Sequence, residues 1–122
     1  MATISTHTLY SEYGADIEAT ATAFDEATGI LAVAAIKLDF PLNNHTRVLV
    51  FSHHPGSAVP FQHPDDVVIE NYKGEDVACC KQGDGLYITV SGHNTAPDPN
   101  PHPAGSRLTT IEGALVPGVF VR

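Results

Sequence analysis

A stretch of alternation that passes into an unbroken apolar run constrains this chain most. From Ile17 to Ala23 the residues Ile17, Ala19, Ala21 and Ala23 alternate with Glu18, Thr20 and Thr22. That period of two describes a strand with one buried and one wet face. Asp25-Glu26-Ala27-Thr28-Gly29 supplies turn chemistry, with glycine available for a positive φ. Ile30 to Leu38 then runs almost wholly apolar, which suits a strand covered on both faces. The pair reads as a central β-hairpin. A helix over residues 15–28 is the rival, since Asp16 is a good N-cap and alanine a strong helix former. The β-branched Thr20 and Thr22 and the thin helical stripe left by Ile17 and Phe24 favour the strand.

The rest of the chain continues in the same style. Ile4 to Tyr10 reads as an edge strand turned back by Ser11-Glu12-Tyr13-Gly14, and Phe40-Pro41-Leu42-Asn43-Asn44 as a break before the apolar strand Thr46–Ser52. His53 to Asp66 holds three prolines and three histidines and reads as a long functional loop. Val67–Tyr72 and Val77–Cys80 flank Lys73-Gly74-Glu75-Asp76 as a hairpin, and Gly83-Asp84-Gly85 turns into the alternating Leu86–Ser91. A second long loop spans Gly92–Gly105, where prolines at 97, 99, 101 and 103 forbid helix and ladder alike. Arg107–Ile111 and Leu115–Val121 close the chain, and the apolar end implies a terminus tied into a sheet. No internal repeat is visible.

These elements make one domain over residues 1–122: an all-β antiparallel sandwich or barrel of about eight strands with two long Pro-rich loops. A chain of 122 residues buries roughly two-thirds of its unfolded surface without staples. Tryptophan is absent, so the core must come from Val, Ile, Leu and Ala. The formal charge is −8, and the six bases are scattered, which sets nucleic-acid binding aside. Seven histidines titrating near about 6.5 would cancel much of that charge, so solubility should fall toward pH 5. The first residues show no secretory signal and no run approaches a membrane span. The adjacent Cys79 and Cys80 read as reduced thiols on opposite strand faces, in keeping with cytoplasmic production. Asn44-His45-Thr46 reads as a turn although it matches a glycosylation acceptor.

Chemical motifs are few. No phosphate-cradling loop and no nucleophile elbow occur. His53, His54 and His63 with Asp65 are candidate ligands for a divalent metal such as zinc, with His93 or His102 to complete the set, and the alternative they define is a small metal-dependent enzyme or metal-binding protein; adjacent His53 and His54 point to opposite strand faces, which works against joint ligation. A carbohydrate-binding module is a further alternative, weakened by the missing tryptophan. The favoured expectation is a non-enzymatic structural or binding module with protein partners, a homo-oligomer whose strands and loops extend a neighbour's sheet. Gly29-Ile30-Leu31-Ala32-Val33-Ala34-Ala35 resembles a strand stretch in the lambda-type head decoration proteins of tailed phages, small trimeric β domains that cement capsids. The resemblance covers seven residues of the 122 and implies an accessory subunit of a phage-like or other symmetric protein shell.

Overall fold

The structure is a computed structural model that describes residues 4, 6–9, 16–37, 45–54, 56–95, 106–116 and 119–122, with the backbone alone at His63, Pro64, Ser106 and Val119. Eight strands follow one another: β1 Ile17–Asp25, β2 Ile30–Lys37, β3 Thr46–His53, β4 Phe61–Ile69, β5 Tyr72–Gln82, β6 Gly85–Asn94, β7 Ser106–Val116 and β8 Val119–Val121. They form two antiparallel four-stranded sheets, β1-β2-β3-β4 and β5-β6-β7-β8, each a simple meander. The all-β, eight-stranded expectation holds, and the strand reading of residues 17–25 prevails over the helix.

The run from Ile30 is buried on both faces because each face has its own cover. Ile30, Ala32, Val48 and Val50 point between the sheets and join Tyr72, Val77, Leu86, Ile88, Val90, Ile111 and Phe120 in the main core. Val33, Leu49 and Phe51 point outward, where Leu9, Leu31 and Phe61 pack over them. The segment around His7 and Leu9 therefore lies across the outer face of the first sheet. The described part of the expected edge strand Ile4–Tyr10, residues 4 and 6–9, carries no strand.

β1 departs from simple alternation. Ala19 pairs with Ala35 and Ala21 with Ala34, so Thr20 is an extra residue in a bulge. Ala21 and Ala23 pack against the core, whereas Ile17 and Ala19 fall on the other face. The Thr20 hydroxyl donates to the carbonyls of Ala34 and Gly74, 3.2 and 3.1 Å away, which ties β1 to β5.

Two turns differ from expectation. The loop expected over His53–Asp66 is confined to residues 54–60, where the His54 N–H donates to the Pro60 carbonyl at 2.7 Å. β4 begins at Phe61, and Pro64 falls in the irregular stretch between the Val50 and Ser52 pairings, where a missing N–H breaks no ladder. The hairpin expected at Lys73–Asp76 is instead the body of β5. The turn sits at Glu70-Asn71 and passes the chain from one sheet to the other. Asn71 adopts φ 53°, which asparagine tolerates, and its N–H donates to His45 Nδ1 at 3.0 Å. Gly74 serves close packing: a Cβ there would lie 2.9 Å from Val90 and 3.1 Å from Thr46. The turn at Gly83-Asp84 is as expected, with Gly83 at φ 58°. The second Pro-rich loop, expected from Gly92, starts later, because Gly92, His93 and Asn94 continue β6 in its ladders with β5 and β7; residues 96–105 lie outside the described residues.

Candidate functional site

The sequence-derived metal candidates occupy the end of the first sheet and its rim. His53, on the last residue of β3, sits 4.4 Å from the Phe61 ring and 5.8 Å from Phe24, and its Nδ1 lies 3.1 Å from the Pro60 carbonyl. His7 rests on the same aromatic group, 5.2 Å from Phe51 and 5.5 Å from Phe61. These imidazoles pack as rings against rings. His54 lies beside Gly29. His63 is placed by its backbone in β4, and the Asp65 carboxylate accepts from the Arg122 guanidinium, with Nη2 at 3.0 Å. His93, the candidate fifth ligand, pairs with Glu75, Nδ1 to Oε1 at 3.0 Å, and His102 lies outside the described residues. Among the described residues no three His, Cys, Asp or Glu side chains converge as a metal cluster.

The cysteines do fall on opposite faces. Cys79 faces inward against the core and Cys80 is exposed. Burial, with a smaller contribution from the Asp25 charge, pushes the Cys79 thiol up to about 11. Only a thiolate is a nucleophile, so one thiol per chain should react quickly with a maleimide at pH 8, and Cys80→Ser should abolish that label. The same shift sets a pH dependence. Above about 9 the unfolded chain loses this proton while the native chain keeps it until about 11, so stability should fall as pH rises through that window. Thermal melts from pH 7 to 11, with Cys79→Ala as the comparison, check the slope.

A surface opening lies elsewhere, along the seam where β4 and β7 fail to join. The opposite seam is closed, because β1 packs on β5 through Thr20. At the open seam β8 pairs only with Ala114, Leu115 and Val116. A groove of about 560 Å³ runs from there between Val67–Ile69 of β4 with the following Glu70 on one side and Arg107 and Thr109–Glu112 of β7 on the other, with Arg122 also in its lining. Ile69 and Ile111 in its lining are buried and Val68 is 47% exposed, while Leu108, on β7 beside the groove, is 74% exposed.

The walls of this groove are anchored from inside the sandwich. Tyr72, fully buried, donates its hydroxyl proton to the carbonyls of Val90 and Arg107 at 2.9 and 2.7 Å. Burial raises the Tyr72 pKa, with the Arg107 charge acting against that shift. The Arg107 guanidinium lies 5.5 Å from the Tyr72 ring centre, and its Nη1 donates to Asn94 Oδ1 at 3.3 Å. On the β4 side Arg47 donates through Nε to both oxygens of Asp66 at 3.3 and 3.2 Å. The bond to Asp65 raises the pKa of Arg122 further and fixes the chain end across the seam.

Sequence reasoning missed this groove because it joins residues 67–70 to residues 107–112. The one local signal was Leu108, Thr110 and Glu112 alternating on a strand whose outward residues include a leucine. Neither a protein-family model, nor a curated protein, nor a solved structure matches this chain.

Proposed function

We propose that this chain is a non-enzymatic assembly or binding module, a homo-oligomer whose association surface is the open seam between β4 and β7. The observation that supports it is the length of β7 that lies beyond β8: among the described residues, Arg107–Gly113 has a ladder on the β6 side only. An extended segment laid there gains main-chain hydrogen bonds along its whole length and covers Leu108 and Val68. The candidate metal ligands favour this reading over the metal alternative, since His53 stacks in an aromatic group and Asp65 holds Arg122. The residues that resemble phage decoration proteins, Gly29–Ala35, run from the turn into β2, where they are largely buried. They bear on packing, and the reading as a shell subunit rests on that resemblance alone.

Native mass spectrometry across a concentration series tests the proposal. Multiples of the 12.9 kDa chain mass are expected. A single-chain species at the highest concentration would remove the homo-oligomer. Stoichiometric zinc in the same sample, lost on His53→Ala, would put the metal reading in its place.

A further inference from the structure

The sheets' other margins are guarded in ways that natural edges are. β1 carries the Thr20 bulge and packs on β5. β5 is bulged between Gly74 and Asp76 and carries Lys73, Glu75 and Lys81. β4 is irregular where Pro64 sits and continues with Asp65 and Asp66. β8 is three residues long. Arg107–Gly113 of β7 has no bulge and no proline, and its two charges, Arg107 and Glu112, stand near its ends. Its ladder with β6 shows no register shift, it contains neither proline nor lysine, and Thr109, Thr110 and Ile111 are β-branched strand formers.

The direction of its backbone groups follows from one bond. The Leu115 N–H donates to the Asp84 carbonyl at 2.8 Å, on the β6 side. Hydrogen-bonding direction alternates along a strand, so Leu108, Thr110 and Glu112 turn their N–H and C=O groups toward the open seam.

We propose that this edge pairs with the same edge of a second copy, antiparallel, about a two-fold axis at Thr110; the inference rests on the assembly reading above and names its partner. Outward-turned residues must meet outward-turned residues, so in self-pairing the two residue numbers sum to an even value. An axis at Thr110 sets Arg107–Gly113 against Gly113–Arg107 and stops where Ala114 is taken by β8. Leu108 then faces the second copy's Glu112, Thr109 faces Ile111, and no like charges oppose each other. Thr110 meets its own copy. Because its hydroxyl lies 3.4 Å from that of Thr89, four threonine hydroxyls line up across the axis. Charge favours a second copy here too: of the −8 that the chain carries, little falls at this seam, where Arg107 and Arg122 stand with Glu70 and Glu112 in the groove and Asp65 is held by Arg122, so two acidic copies can meet here with limited repulsion.

Thr110→Pro tests the pairing, because it removes an outward N–H and leaves the bonds to β6 in place. Dimer in the wild type and monomer in Thr110→Pro is the expected result. A cross-link keeps the test open if that variant folds poorly. Opposed Cα atoms in a hydrogen-bonded antiparallel pair are about 5.5 Å apart, within disulfide range. In a Cys80→Ser background, Thr110→Cys should oxidise to a covalent dimer, and Glu112→Cys should do so far less. An oligomer indifferent to Thr110→Pro, or equal cross-linking at 110 and 112, overturns the pairing and leaves the assembly reading standing. A wild type that is monomeric throughout removes both.

Discussion

Replacing Tyr72 with alanine is expected to destabilise the fold by about 3–5 kcal/mol, as for other large buried aromatics. Tyr72 is fully buried, is the first residue of β5 and stands immediately after the turn between the sheets. Its ring belongs to the main core, and its hydroxyl serves the Val90 and Arg107 carbonyls of neighbouring strands. Truncation opens a cavity and strips both carbonyls of a donor. Tyr72→Phe separates the two effects: it keeps the ring, and should lose about 1–3 kcal/mol for the unpartnered buried groups. Urea midpoints with unchanged slopes measure both. Equal losses in the two variants would mean that the hydroxyl, not the ring, carries the contribution.

Thr46→Val should come next, at about 2–4 kcal/mol for a change that hardly alters shape. The buried Thr46 hydroxyl donates to the Tyr72 carbonyl at 2.7 Å and accepts from the Gly74 N–H at 2.8 Å. Valine leaves a donor and an acceptor stranded in the core. Thr46→Ser keeps the hydroxyl and should lose only about 0.8 kcal/mol for the missing methyl. If serine proves the worse substitution, the methyl contact with Gly74 outweighs the hydrogen bonds. Both sites touch the same piece of β5, so their effects should not add.

The central strands were legible in the sequence because their pattern is dense. Ile30–Ile36 and Thr46–Ser52 are covered on two faces, and no other environment calls for so continuous an apolar run. Less could be read where one residue serves two uses. Gly74 and Asp76 look like turn formers, yet Gly74 is there for close approach to Val90 and Thr46, and Asp76 marks a bulge. The real turn announces itself only by Asn71, which needs His45 from far away to fix it. Pro64 suggested a loop because a proline excludes a central strand, but β4 is an edge. The bulge at Thr20 leaves no mark on the alternation that precedes it. The histidines were the most misleading residues: His45, His53 and His93 each have a structural use as acceptor, ring or ion-pair partner, and composition cannot tell an imidazole packed on Phe61 from one that awaits a cation. The groove depends on the spacing of two remote strands, which no local pattern encodes.

Each sheet is a meander, so every strand ladder joins neighbours in sequence, and residues 17–69 and 72–121 are two successive halves linked only at Glu70-Asn71. Ladders between sequence neighbours close over local loops, the longest being the Pro-rich connection from β6 to β7, and lose less chain entropy in forming than long-range pairings. What joins distant parts of the chain is the mating of the two halves, through Thr20 on Gly74, Thr46 on Tyr72 and Arg122 on Asp65. Polypeptides cut at the Glu70-Asn71 link should therefore complement one another when mixed, each fragment carrying a full set of its own ladders and lacking only the opposite half of the core.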